Sequence, residues 1–566
     1  MQGRSREHRL AFCSRRDIAL DSAPERAHTP TDHRSVTIGG APVARRASRR
    51  GHRLAPLAVL FLSAFMALLD VTVVTVAVPD IGADLSAGLS AQQWVITAYT
   101  LFFSAFLLTG GTLGDRYGRR RVLLVSVAAF AVTSVLCGLA RSPGMLIAAR
   151  ALQGLAAAAM LPGTLSLIAW IYPDPKERGR AIGMWSGVAG LALVAGPVLG
   201  GWLVGTYGWP GIFFLNLPVA VLVLVLGPRT LPEARGGREG LDVAGQLTAV
   251  VGAGALAYAL IEGGTEGWTS PRILAAFTVG AVGLAAFAVV ETRATDPMLP
   301  PALFRLRPFL VGNLVSFLLG FGLFSMFFFL SLYMQQVRGE SALHTGLAFL
   351  PGSVAIVLTA PLSGPLAARL GQRLTIGLGL TVSAVSLLTM HRLTVDADYG
   401  RWWWSLVLMG AGIGLALSPT TALVLSSVSR QRSGVGSSIA NAHRQFGIVF
   451  GVAVLGALLT ERFTALVSTK LDGLGLPPAE RDRVADAFLR EGGSAATGAN
   501  ASPRLAERVI AAAEEAFVAG LHDVLTAGAI VLLAGAAVAV ALPAGSRGRA
   551  GADADELRPV SAPGAE

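Results

Sequence analysis

Apolar residues in this chain gather into runs long enough to cross a bilayer, separated by short polar turns in which arginine predominates. A helix needs roughly 20 mostly apolar residues to span the hydrocarbon core of a membrane. Runs of that kind fall at 54–79, 91–113, 122–140, 143–171, 181–205, 209–228, 241–261, 271–291, 308–335, 344–368, 373–391, 401–426, 434–459 and 519–543. The pattern predicts an all-α integral membrane protein with fourteen transmembrane helices. An even number of crossings leaves both termini on one side.

Arginine and lysine indicate which side that is. With the N-terminus inside, the short inner loops hold Arg116, Arg119, Arg120, Arg121, Lys176, Arg178, Arg180, Arg229, Arg235, Arg238, Arg293, Arg305, Arg307, Arg369, Arg373, Arg430 and Arg432. The short outer loops hold only Arg141, Arg272, Arg338, Arg392 and Arg401. Positive charge collects on cytoplasmic loops, so the expected protein is a multi-pass resident of the plasma membrane with both termini cytoplasmic. One helix missed or added early would invert every later loop, so the asymmetry supports the count of fourteen independently. The one long outer loop, 460–518, contains Ser502-Pro503, the signature of a helix start. It reads as a short surface helix running toward the last span, or as a partner-binding segment.

Composition narrows the class. The chain has 566 residues, of which 53% are hydrophobic and 14% charged, and its mean hydropathy is +0.59; an ordinary soluble enzyme is excluded. The net charge of +11 raises nucleic-acid binding, but the excess lies in the N-terminal tail and between the apolar runs, as the positive-inside rule requires. No nucleic-acid partner is expected, and a monomer in the lipid bilayer is. Cys13 and Cys137 are too few for a disulfide framework or a cysteine metal site. Residues 1–53, rich in Arg, His, Ser and Pro and lacking a signal-peptide h-region, read as a disordered basic cytoplasmic tail or an over-long gene start. Residues 544–566 read as a second cytoplasmic tail. Neither a phosphate-cradling Gly-x-x-x-x-Gly-Lys-Ser/Thr motif nor a His-Glu-x-x-His box occurs, so ATP-driven pumping and metalloenzyme activity have no support and no cofactor or metal is expected.

An internal repeat adds organisation. Gly111-Thr-Leu-Gly114-Asp115-Arg116-Tyr-Gly118-Arg119-Arg120-Arg121 places five charges between two apolar runs. Gly364-Pro-Leu-Ala-Ala368-Arg369-Leu-Gly371-Gln-Arg373 repeats it at one constant offset, with Ala368 in place of Asp115. Each copy joins the second and third helices of a half, provided that the pair at 241–261 and 271–291 is an insert. The expected units are a six-helix half over 54–228, an inserted segment over 229–307 and a six-helix half over 308–543. Two such halves related by an axis along the membrane normal are a known plan for secondary transporters, with the substrate site between them near the midplane.

The chain resembles the major facilitator superfamily, in particular its fourteen-helix drug:proton antiporter branch, over essentially all of 54–542. The motifs occur in order: Leu69-Asp70-Val-Thr72-Val-Val-Thr75-Val-Ala77-Val-Pro79, the loop at 111–121, Arg150-Ala-Leu-Gln153-Gly154, Gly196-Pro197-Val-Leu-Gly200-Gly201, and Leu241-Asp242-Val-Ala-Gly245 with Gly267-Trp268. Thr75 stands where the family usually has asparagine. The resemblance implies a proton-coupled antiporter that exports lipophilic small molecules, drugs or antibiotics, by alternating access. A proton-coupled importer of a small metabolite and a non-transporting membrane sensor are the rival readings.

The residues themselves carry chemistry. Asp70 is the deepest acid of the first span, where an ionisable group usually faces a polar cavity, and Arg150, which cannot lose its charge, needs a carboxylate, a chain of carbonyls or water nearby; the resemblance implies a proton-coupling or helix-positioning role for Asp70 and a part in proton transfer for Arg150. Gln153 shares a helix face with Arg150 and is a candidate cavity residue. The Gly196, Pro197, Gly200, Gly201 run removes bulk and a backbone donor together, allowing a kink and close packing; the resemblance associates it with antiporters. Gly111, Gly114 and Gly118 allow tight backbone approach, and Asp115, with Arg116, Arg119 and Arg120 beside it, is placed to bond a helix end or an arginine across the interface between halves as a gating latch. Asn441, His443 and Arg444 form a further polar cluster in a span, either a cavity wall or substrate contact or a set of side chains snorkelling to the inner surface. Phe324, Phe327, Phe328, Phe329 and Tyr333 offer aromatic surface to a lipophilic compound or form a packing stripe.

Overall fold

A computed structural model describes residues 54–236, 240–428, 433–492 and 503–541. The two tails, Arg238, Arg430, Arg432 and Ser502 therefore lie outside the described residues. Among those described, fourteen helices are long and apolar enough to cross a membrane. We number them α1 (Ala55–Asp84), α2 (Leu89–Tyr117), α3 (Arg119–Gly138), α4 (Pro143–Ile171), α5 (Lys176–Tyr207), α6 (Pro210–Thr230), α7 (Val243–Glu266) and α8 (Pro271–Arg293). The series continues with α9 (Arg307–Val337), α10 (Ala342–Leu370), α11 (Gln372–Arg392), α12 (Trp403–Leu425), α13 (Val435–Asp472) and α14 (Pro503–Val540). We refer to α1–α6 as the first half, to α9–α14 as the second and to α7 and α8 as the inserted pair.

Two helices outrun their expected bounds. α13 continues to Asp472 and α14 starts at Pro503, so much of the expected loop is helix. Charge hid these turns, because Arg462, Lys470, Glu515 and Asp523 interrupt the apolar run while pairing between the two helices, Lys470 with Glu515 at 2.6 Å and Arg462 with Asp523 at 3.0 Å. Beneath those pairs Phe463, Val467, Leu471, Ala513 and Phe517 are buried. A further helix, Pro478–Glu491, follows the loop after α13. Its Phe488 is buried against Phe463 and Phe517, and the Leu489 carbonyl accepts hydrogen bonds from Gln92 Nε2 of α2 (3.2 Å) and Gln336 Nε2 of α9 (3.4 Å). This helix thus ties both halves together on the face opposite the arginine-rich loops.

The seam between α5 and α10 is unequal along its length. Near the face capped by the Pro478–Glu491 helix, a Cβ on Gly201 would overlap the backbone of Ala342 and Leu343, and one on Gly346 would overlap the Pro197 carbonyl. Toward the arginine-rich face, Gly179, Gly183 and Gly187 of α5 and Gly364 of α10 have no neighbour within 4 Å of a Cβ position. The helices touch at one end of this seam, and toward the other these glycines face open space.

Candidate functional site

Asp70 and Arg150 meet inside the first half. Ser142 caps α4 by accepting from Met145 N–H at 3.3 Å, with Pro143 in the first turn, and Gly154 lets α4 approach α2 so closely that a Cβ would overlap the Tyr99 carbonyl. That approach puts the Arg150 guanidinium 4.2 Å from the Tyr99 ring centroid and its Nε in reach of the Val95 carbonyl at 3.2 Å. Arg150 Nη1 donates to Asp70 Oδ2 in a short charged hydrogen bond. Asp70 Oδ1 accepts from Gln153 Nε2 at 3.1 Å and from Asn216 Nδ2 at 3.2 Å. Ser134 Oγ joins the set, accepting from Gln153 at 2.8 Å and from Asn216 at 2.9 Å, and Gln153 Oε1 takes a second bond from Arg150 at 2.6 Å.

Arg150 finds the carboxylate and carbonyl that its charge requires, whereas Asp70 lies in other surroundings than expected. Asp70 was expected to face a polar cavity; instead its carboxylate is enclosed by α1, α3, α4 and α6, with 3% of the residue exposed. Gln153 was expected to line a cavity and is fully buried in the same network. A carboxylate removed from water needs charge and donors around it, and here the surrounding helices supply them. Ser134, Asn216 and Tyr99 were missed, because a single Ser, Asn or Tyr in an apolar run carries no signal of its own.

The glycine-proline run holds α5 against two helices at once. A Cβ on Gly196 would overlap the Thr72 side chain and one on Gly200 would come 2.9 Å from the Val73 carbonyl, both of α1; Gly201 and Pro197 face α10 as described. Thr72 Oγ1 lies 3.0 Å from the Leu69 carbonyl and 3.3 Å from that of Ala192. Thr75 bonds the Val71 carbonyl of its own helix at 3.2 Å. Asp70, Thr72 and Val73 therefore connect α1 to α4 and to α5 within one turn.

The loop at 111–121 is clamped locally rather than across the halves. Asp115 Oδ1 accepts from Arg119 Nε at 2.7 Å, within the same motif, so among the described residues its side-chain partner stands at the start of a nearby helix, α3, rather than in the other half. Gly118 has φ +108°, in the region that favours glycine, and a Cβ there would crowd the Glu233 carboxylate. Arg119 N–H bonds the Ala234 carbonyl at 2.8 Å and Gly236 N–H bonds that of Asp115 at 3.1 Å; Arg120 and Arg121 lie 3.5 and 3.8 Å from Glu233. A Cβ on Gly111 would lie 3.7 Å from Pro162 and one on Gly114 3.8 Å from Arg119, ordinary contact in both cases, and Arg116 sits over the Tyr117 ring. In the second copy Gly371 repeats the positive φ, +89°, but nothing lies within 4 Å of a Cβ there.

Two apolar cavities flank the interface. The central one is lined by Thr72, Thr75 and Pro197 of the first half and by Phe324, Phe327 and Phe349 of the second, and measures about 600 Å³ including its mouth. Phe328 also reaches it, whereas Phe329 and Tyr333 pack inside the second half, Tyr333 donating to the Thr394 carbonyl at 2.7 Å. The second cavity, about 740 Å³, lies among α2, the inserted pair and α13, and His443 is in its wall. His443 Nδ1 lies 2.9 Å from the Ile439 carbonyl, so Nδ1 carries the proton. Arg444 turns the other way, donating to Asn441 Oδ1 and lying 5.7 Å from the Phe324 ring centroid. Neither lining contains an Asp or Glu.

With that geometry in hand, likeness to known proteins becomes informative. The chain is 36% identical over 514 residues to Multidrug resistance protein Stp of Mycobacterium tuberculosis (strain CDC 1551 / Oshkosh), covering 88% of this chain and 94% of that one. It is 34% identical over 496 residues to the Tetracenomycin C resistance and export protein of Streptomyces glaucescens, covering 87% and 92%. Among solved structures, a bacterial homolog of the human lysosomal transporter Spinster in an inward-facing, unoccupied conformation shares the fold, with TM-score 0.63 at 18% identity over 87% of this chain and 97% of that one. Residues 60–452 match the Major Facilitator Superfamily, and the chain belongs to that family.

Proposed function

We propose that this protein is a proton-driven antiporter that exports lipophilic small molecules, drugs or antibiotics among them, from the cytoplasm. The near full-length likeness to named resistance and export proteins supports the direction and the substrate class. With the arginine-rich face cytoplasmic, the backbone contact at the far end of the α5–α10 seam and the open space beside Gly179, Gly183, Gly187 and Gly364 support an inward-facing state. A lipophilic molecule enters the central cavity, whose aromatic and aliphatic walls suit it.

The observation that carries the coupling is the enclosed Asp70–Arg150 pair lying two residues from the α1–α5 contact. A proton on Asp70 removes the charge that holds Arg150, and α1 is then free to shift against α4. Because Thr72 and Val73 seat α1 in the hollow left by Gly196 and Gly200, that shift reaches α5 and, through Gly201, the closed end of the α5–α10 seam. Each elementary charge crossing the field contributes about 2.3 kcal/mol per 100 mV, which is the drive for uphill export.

The test uses everted membrane vesicles with an imposed pH gradient and the neutral lipophile phenylnaphthylamine as probe. Accumulation that needs the gradient and is lost in Asp70→Asn is the expected result. Equal flux without the gradient contradicts proton coupling, and intact gradient-driven flux in Asp70→Asn contradicts the role given to Asp70.

A further inference from the structure

Arg444 is planted in the second half, beside the central cavity, by backbone contacts between α9 and α13. A Cβ on Gly320 of α9 would overlap the Arg444 carbonyl, and one on Gly447 of α13 would overlap that of Phe317, so the two helices cross here with almost no side-chain bulk between them. Just past the crossing, Gly320–Phe324 forms a π-type turn, a wider turn that is frequent at functional sites. It ends on Phe324, which lines the central cavity and lies under the Arg444 guanidinium. Ile448, one helical turn beyond Arg444, lines the same cavity.

The guanidinium has more to give than its surroundings take. It carries five N–H donors and a permanent charge, and among the described residues its hydrogen-bond acceptor is Asn441 Oδ1, with no carboxylate within ion-pair distance. The head reaches one turn back along α13 to Asn441 and lies against Phe324. Since neither cavity lining contains an acid, a lipophilic cation entering the central cavity meets an uncompensated like charge. A molecule with an anionic oxygen meets the one cationic group at its edge.

We propose that Arg444 is the substrate-recognition residue of the central cavity, held in place by Asn441, and that the preferred substrates are lipophilic molecules bearing a carboxylate, sulfonate or similar anionic oxygen. The proposal rests on the exporter reading above and adds the chemistry of its cargo. An exported anion exchanged for an inward proton moves charge on both legs, so its transport follows the membrane potential more steeply than that of a neutral molecule.

The experiment measures initial rates in everted vesicles for two probes of nearly the same shape, anilinonaphthalene sulfonate and neutral phenylnaphthylamine, with ethidium as a cationic control. Charged hydrogen bonds are typically worth enough for a change of about tenfold or more. Arg444→Gln is expected to raise the KM for the sulfonate by about that factor while leaving the neutral probe within about twofold. Arg444→Lys restores part of the sulfonate affinity, and Asn441→Ala shifts it in the same direction by less. Wild type that moves the neutral probe but not the sulfonate, wild type that prefers ethidium, or Arg444→Gln that weakens both naphthalene probes alike overturns the assignment. Wild type that moves none of the three contradicts the exporter reading itself.

Discussion

Arg150 and Arg444, each well inside its span, are treated in opposite ways. Arg150 has a carboxylate, a carbonyl, an amide oxygen and an aromatic ring around it, all supplied by the first half. Among the described residues Arg444 has one amide oxygen and one ring, that of Phe324, which lines the central cavity. The difference teaches where each charge does its work. A satisfied pair inside one half can hold or release helices of that half, whereas an under-satisfied cation at the interface is available to something that comes and goes. The same division appears in the loop motif, whose first copy is clamped by Glu233 and Arg119 while the glycine of its second copy is open.

The comparison breaks most sharply in stability. Arg150→Met leaves Asp70 buried without its counter-charge, which costs about 3–5 kcal/mol and should lower the unfolding midpoint of the detergent-purified protein far more than Arg444→Gln does. The double variant Asp70→Asn/Arg150→Met should regain part of that loss and still fail to transport. Equal midpoints for the two single arginine variants would show that the pair does not hold α1 to α4.

A smaller effect is expected at the closed end of the seam. Gly201→Leu forces bulk between α5 and α10, an overpacking of about 1–3 kcal/mol, and should shift the population away from the described state without touching Asp70 or Arg150. Spin labels on the ends of α5 and α10 distant from the arginine-rich loops should move apart; unchanged distances would remove α5 from the path between proton and gate.

The smallest effect belongs to the clamped loop. Asp115→Asn weakens a partly buried pair with Arg119 near the surface, an interaction of about 1 kcal/mol, and should slow transport by a few-fold with insertion and orientation unchanged. A wild-type rate would reduce the first copy of the motif to a topological marker.

Much of this was legible in the residues. Apolar runs bounded by Arg, Gly and Pro gave all fourteen spans, because lipid forces the whole hydrophobic length of a helix into the sequence. The outer ends of α13 and α14 were not legible, since turns that pack on each other outside the apolar layer carry pairs such as Lys470–Glu515 that read as loop. At the site, Asp70 and Arg150 stood out singly as costly charges, but their pairing spans 80 residues, and nothing in either motif states that each is the other's partner. Glu233 was invisible for a different reason: it sits in an unremarkable loop, and only the positive φ of Gly118 brings its carboxylate under the motif.

The central claim is that Asp70 exchanges its proton as part of transport, and it is tested most directly by proton release. Purified wild-type protein in weakly buffered detergent solution, titrated with anilinonaphthalene sulfonate while a pH-sensitive dye reports the medium, should release protons as the probe binds, and Asp70→Asn should bind the probe without releasing them. Proton release from Asp70→Asn equal to that of wild type would contradict the account.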